Sequence, residues 1–267
     1  MVGPVIQALF FSMAVAAPSA PLPIVRHDAL VAGEPGVRLF VREVLPEKRG
    51  DVPAVVLIHG ARVPGLASFD LDVPGGSLAA DLARHGLAVY VMDVRGYGRS
   101  TRPKEMDEPP ETHAPLVRSN EAARDIGAVV DWIRARRGVS KVALFGWATG
   151  GQWAGVYAAR FPEKVAALIL LNSLYGGATT HPMLGRGTDM EDPAHPGRFR
   201  EASCGAWRLN DAASLLRAWD RSLPDGDESA WRDPAVAKAF TDAALASDPT
   251  STSRTPPSFR SPCGAFE

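Results

Sequence analysis

Six consecutive residues, Gly146-Trp147-Ala148-Thr149-Gly150-Gly151, hold the frame of a chemical site without its reactive group. They follow a short apolar run, Val142 to Phe145, that reads as a buried strand. An alanine-rich helical stretch to Arg160 comes next, then a second apolar run from Val165 to Leu171. Strand, glycine turn, helix and strand make the βαβ unit of a parallel sheet. The turn has the spacing G-x-S-x-G, the nucleophile elbow, in which a strained corner holds a serine oxygen above the sheet. Ala148 occupies the serine position. A methyl group has no proton to lose and no lone pair, so the frame is present and the nucleophile is not.

Other residues could do chemistry. Thr149 lies beside the corner, but at a helix start a threonine is ordinarily a capping residue. His59 ends an apolar run and precedes Gly60. It is expected either to line a pocket or to serve as a hydrogen-bonded structural residue. Trp147 and Tyr175 flank the corner and the exit of the second apolar run, where they line a substrate pocket or pack into the core. His181, Asp189, Glu191, Asp192 and His195 cluster in sequence. Their spacing matches no metal-ligand pattern, and Pro182, Pro193 and Pro196 mark an exposed loop, so no metal is expected.

The elements that must position these residues are legible in order. The chain has 267 residues, 46% hydrophobic and 22% charged, which suits one large α/β domain with an insertion. Val25 to Glu43 carries two alternating segments around Gly33-Glu34-Pro35-Gly36, the pattern of an antiparallel hairpin at a sheet edge. Ala54 to Ile58 is an unbroken apolar run, as in a strand covered on both faces. Ser77 to His85 reads as a helix closed by Gly86, and Leu87 to Met92 as the next buried strand. Asn120 to Arg137 reads as a helix with Ile126, Val129, Val130 and Ile133 on one buried face. The runs 54–58, 87–92, 142–145 and 165–171 are expected as adjacent parallel strands, with helices 120–137 and 149–160 on opposite faces.

Beyond Asn172 the composition changes. The last 95 residues contain no isoleucine and one valine, Val236, so no further sheet strand is expected there. Helices are expected near Ala212–Trp219 and Ala235–Ala246, anchored by Trp207, Trp219 and Trp231, with a loop from Asp248 to Glu267.

Charge and termini bound the function classes. A net charge of -1 without a basic cluster leaves no electrostatic footprint for nucleic acid. Val5 to Ala17 is apolar and is followed by Pro18-Ser19-Ala20, as in an export signal, but no Lys or Arg precedes it. The run is too short to span a bilayer. The preferred expectation is a true start at Met13 and a cytoplasmic protein, with export through an N-terminal signal as the alternative. Two cysteines, Cys204 and Cys263, could pair only in an exported chain.

Four motifs together resemble the α/β-hydrolase fold family: the His59-Gly60 corner, the block Asp93-x-Arg95-Gly96-x-Gly98-x-Ser100, the Gly146–Gly151 turn, and the Leu170–Asn172 strand end. The resemblance runs from Val37 to Ser173. It implies a mostly parallel sheet of the α/β-hydrolase type with a helical cap after the sixth strand. Segment 1–24 then precedes a core at 25–173 and a cap at 174–267. It also implies a serine, histidine and acid acting together, with an oxyanion hole formed by the N–H groups of Ala61 and Thr149. The family's acid and histidine follow later strands, and the chain is expected to stop short of those strands. Some members place the acid after the sixth strand, where this chain has Asn172. The implied relationship is to ester, acyl or other small-molecule hydrolases, with the chain inactive as written and enzyme status open. The alternative is a non-catalytic member that binds a small ligand. Neither cofactor nor metal is implied, and the expected partner is a small molecule.

Overall fold

Val142 to Trp147 pairs in parallel with Val165 to Leu171, as the apolar runs require, and this pair closes one edge of a six-stranded sheet. The structure is a computed structural model and describes residues 22–47, 50–173, 187, 191–196, 205–220, 223–224, 231–252 and 257–263. The sheet contains β1 (Ile24–Ala32), β2 (Arg38–Pro46), β3 (Ala54–Ile58), β4 (Ala88–Met92), β5 (Val142–Trp147) and β6 (Val165–Leu171) in the order β1-β2-β4-β3-β5-β6. β1 and β2 form the expected antiparallel hairpin, and β2 joins β4 antiparallel. β4, β3, β5 and β6 are parallel neighbours, as the four apolar runs predict.

The helices are α1 (Gly65–Phe69), α2 (Leu78–Arg84), α3 (Ser119–Arg137) and α4 (Thr149–Arg160). Ser77 caps α2 by accepting the Ala80 N–H at 2.9 Å, and Gly138 ends α3 in the left-handed conformation at φ 67°. Ile126, Val129, Val130 and Ile133 recur at helical spacing and are fully buried against the sheet. Each such side chain stabilises the fold by roughly 1.5–3 kcal/mol.

The expectation that α3 and α4 lie on opposite faces is wrong. Both pack into one core with Leu39, Val56, Tyr90 and Leu144, whereas α1 and α2 cover the other face through Phe69, Ala79 and Ala83. Strand order explains this. The chain steps one way from β3 to β4, then back the other way from β4 to β5 and from β5 to β6. Right-handed crossovers therefore place α3 and α4 together and α1–α2 opposite. The reversal of direction makes a crevice at the carboxyl ends of β3 and β5, where open α/β sheets bind ligands.

The tail differs from its expectation in a second way. α5 (Ala212–Asp220) and α6 (Pro234–Ala246) form near the predicted positions. However, β7 (Trp207–Asp211) and β8 (Ser258–Pro262) pair antiparallel in a separate two-stranded sheet, so the stretch after Asp248 is not all loop. Neither strand carries the β-branched signature. They are held by neighbouring loops instead: Ala206 N–H donates to Pro110 O at 2.8 Å and Trp207 Nε1 to Glu108 O at 2.9 Å. Trp219 meets Phe240 edge to face, but Trp231 is 64% exposed and anchors nothing.

β6 is an unbroken apolar run, yet Leu168, Ile169, Leu170 and Leu171 are 38–50% exposed. β6 is the last strand of its sheet, and its outer side meets no further strand among the described residues. No described helix is long and apolar enough to cross a membrane.

Candidate functional site

The turn from β5 into α4 is built by close backbone approach. A Cβ on Gly146 would collide with the backbone of Gly150 and Gly151, and one on Gly150 with the carbonyl oxygens of Ile58 and His59. A Cβ on Gly151 would collide with Ser173. Only glycine fits these positions. The sharp reversal falls on Ala148, at φ 50° and ψ −122°, a conformation that costs a residue with a Cβ about 1–3 kcal/mol. Ala148 N–H donates to Leu171 O at 2.9 Å, and Gly151 N–H donates to Ala148 O at 3.0 Å. The expected capping role of Thr149 does not occur. Thr149 is the first residue of α4, and Ala148 holds the cap position without a side-chain hydrogen bond.

β3 delivers Gly60 against this corner. A Cβ built on Gly60 would lie 3.3 Å from Ala148 Cβ and 3.9 Å from Thr149 N. The next residue is Ala61. Neither the Ala61 nor the Thr149 N–H donates to an acceptor among the described residues. The loops after β3 and β5 thus carry two N–H groups without a partner among the described residues, and between them Ala148 presents a methyl group that cannot act as a nucleophile.

His59 is fully buried and both of its ring nitrogens are engaged. Nδ1 bonds Gly60 O at 2.7 Å, which makes it the protonated nitrogen, and Nε2 accepts the Val94 N–H at 3.1 Å. Burial pushes its pKa down to about 4, so the ring is neutral at pH 7. The rings of Tyr97 and Trp153 pack on it at 4.7 and 5.9 Å. His59 therefore fixes the corner rather than lining a pocket. Trp147 also packs inward, 6.4 Å from Phe69 and edge to face. Tyr175 lies outside the described residues.

The block that starts at Asp93 braces the same edge. Buried Asp93 accepts the N–H groups of Gly65 at 2.7 Å and Arg99 at 2.9 Å, and burial raises its pKa to about 6. Ser100 Oγ donates to Asp93 O at 2.6 Å and accepts the Phe40 N–H at 2.8 Å. Arg95 reaches buried Asp125 on α3 at 2.5 Å and Glu34 in the hairpin turn at 2.7 Å. These residues hold loops in place; none touches Ala148.

Sequence reasoning missed Arg62. Its φ of 142° is strained, and its side chain leaves the corner for the tail, donating to Asn210 Oδ1 at 3.0 Å and Ser214 Oγ at 3.2 Å. Arg208 also reaches the corner, donating to Ala61 O at 3.4 Å. No periodic pattern marks either contact.

The other described histidines lie elsewhere. His27 is on β1 at the far edge of the sheet, His85 bonds Asp81 O, His113 pairs with Glu108, and His195 pairs with Asp192. Among the described residues no group of three or more His, Cys, Asp or Glu converges as a metal site would. His181 and Asp189 lie outside them.

A family model described as the alpha/beta hydrolase fold matches residues 53–257. The chain belongs to the α/β-hydrolase fold family. It is 32% identical over 144 residues to a poly(3-hydroxyalkanoate) polymerase subunit of Haloferax mediterranei, a match covering 54% of this chain and 26% of that one. It is 27% identical over 163 residues to human lipase member M, covering 59% of this chain and 38% of the lipase. It is 29% identical over 138 residues to a mouse (lyso)-N-acylphosphatidylethanolamine lipase, covering 51% and 34%. The chain thus matches well under half the length of these curated relatives. Among solved structures, a thioesterase domain from the curacin biosynthetic pathway superposes with a TM-score of 0.51 at 18% identity. That match covers 90% of this chain and 69% of the domain, and it shows the fold.

Proposed function

We propose that this chain binds a small acyl ligand, an ester or its acid, at the Ala61–Ala148–Thr149 corner and performs no serine-type chemistry on it. The observation that carries this is one pair of features: the N–H groups of Ala61 and Thr149 have no acceptor among the described residues, while the residue at the corner is alanine. An oxyanion hole stabilises charge that develops on an attacked carbonyl. Without an attacking oxygen the same donors bind a ground-state carbonyl or carboxylate and accelerate nothing. Two of the relatives are named lipases, enzymes that act on esters, which supports an acyl ligand. The test combines calorimetry with butyrate or ethyl butyrate and an assay with p-nitrophenyl butyrate. Saturable binding without nitrophenol release above the buffer rate is expected. Enzymatic turnover of the ester by the unaltered chain would refute the proposal.

An oxidising compartment fits better than the cytoplasm. What supports this is Cys263, which is buried and disulfide-bonded, and disulfides persist in exported proteins. The sequence has one other cysteine, Cys204, outside the described residues. Mass spectrometry of protein from its native host, alkylated without reduction, is expected to show no modified thiol. Two alkylated cysteines would place the chain in a reducing compartment.

A further inference from the structure

We propose that Asn210, with Ser214, is a positioning residue for the corner, acting through Arg62 to hold the Ala61 N–H where a ligand oxygen can meet it. The inference rests on the corner being the binding site. Arg62 directly follows Ala61, and its φ of 142° is one that a residue with a Cβ rarely adopts. A conformation of that kind persists when its surroundings over-determine it. Here those surroundings come from the tail. Arg62 Nε donates to Asn210 Oδ1 at 3.0 Å and Nη2 donates to Ser214 Oγ at 3.2 Å.

Both anchors are themselves fixed. Asn210 is 1% exposed, and its Nδ2 donates to Ser261 Oγ at 2.8 Å across the β7–β8 pair. The Ser214 hydroxyl donates to Asp211 O at 2.6 Å. The tether thus runs from β8 through Asn210 to Arg62 and ends one residue from the donor. It crosses between two parts of the chain about 150 residues apart, so the tail shapes the site without contributing a group that touches ligand.

Glycine separates this role from ordinary packing, because glycine adopts positive φ without a tether and alanine does not. Arg62→Gly is expected to leave the backbone chemical shifts of Ala61 and Thr149 near those of the unaltered chain. Arg62→Ala is expected to move the Ala61 shifts, although it removes fewer atoms. Asn210→Leu removes the oxygen that Arg62 binds and is expected to displace them. Butyrate affinity is expected to fall at least tenfold in Arg62→Ala and Asn210→Leu and by less than threefold in Arg62→Gly. If Asn210→Leu does not fold, Ser214→Ala and the two Arg62 variants carry the comparison. Equal Ala61 shifts in Arg62→Gly and Arg62→Ala would overturn the proposal. Failure of the unaltered chain to bind butyrate would refute the ligand assignment instead, and the shift comparison would still decide the tether.

Discussion

Gly60, just after β3, leaves room for Ala148, just after β5: a Cβ added to Gly60 would stand 3.3 Å from the Ala148 methyl. β3 and β5 are parallel neighbours, and Ile58 pairs with Gly146, so their loops emerge side by side at the switch point of the sheet. The corner depends on that approach. It survives in this chain although the oxygen it would present is missing.

The backbone at Ala148 gives a prediction whose sign is unusual. Glycine normally destabilises by enlarging the unfolded ensemble, at about 0.4–1 kcal/mol. Strain of about 1–3 kcal/mol at φ 50°, ψ −122° outweighs that. Ala148→Gly is therefore expected to raise the urea midpoint, and a lowered midpoint would show that the corner is relaxed.

Gly150 behaves oppositely. Its Cβ would meet the Ile58 and His59 carbonyl oxygens, which cannot move without shifting β3. Gly150→Ala is expected to cost about 1–3 kcal/mol and to weaken ligand binding, measured by urea unfolding and calorimetry. A variant of unchanged stability would mean that the β3 loop is not packed against α4.

His59 and Asp93 titrate in opposite senses. The folded pKa of His59 lies near 4, below its ordinary 6.5, so the stability it contributes is lost as pH falls through that window. The folded pKa of Asp93 lies near 6, above its ordinary 3.8, so its contribution is lost as pH rises through 3.8 to 6. Between pH 4 and 6 the two slopes nearly cancel. Each bound proton amounts to about 1.4 kcal/mol per pH unit. Asp93→Asn is therefore expected to gain about 2 kcal/mol relative to the unaltered chain as pH rises from 4 to 6, by urea melts. A pH-independent difference would show that Asp93 titrates normally in the fold.

Ala148→Ser is expected to give no burst of acyl-enzyme with p-nitrophenyl butyrate. A serine needs a positioned base, and losing the base alone costs roughly 10⁶-fold in one well-studied protease. His59 cannot serve, since both of its ring nitrogens are held by hydrogen bonds within the fold. A stoichiometric burst would reveal a base that the described residues do not show.

Much of this arrangement is legible in the residues themselves. The runs Ala54–Ile58 and Val165–Leu171 announce parallel strands because their residues suit burial on two faces, and three glycines around Ala148 announce a tight corner. Strand order is not legible, since pairing depends on contacts far apart in sequence. For that reason α3 and α4 were expected on opposite faces although they share one. β7 and β8 were invisible because their residues, WRLND and SFRSP, lack strand character and owe their pairing to the loops around Glu108 and Pro110. Arg62 was invisible for a related reason: its role depends on Asn210, distant in sequence.

The most direct measurement is a residue-resolved titration of the unaltered chain with butyrate, followed by amide chemical shifts. Saturable movement of the Ala61 and Thr149 amides at one common affinity is expected, with Asp28 and Arg42 at the far edge of the sheet unchanged. Saturable binding that leaves both amides in place, or no binding at millimolar butyrate, would contradict the corner as the site.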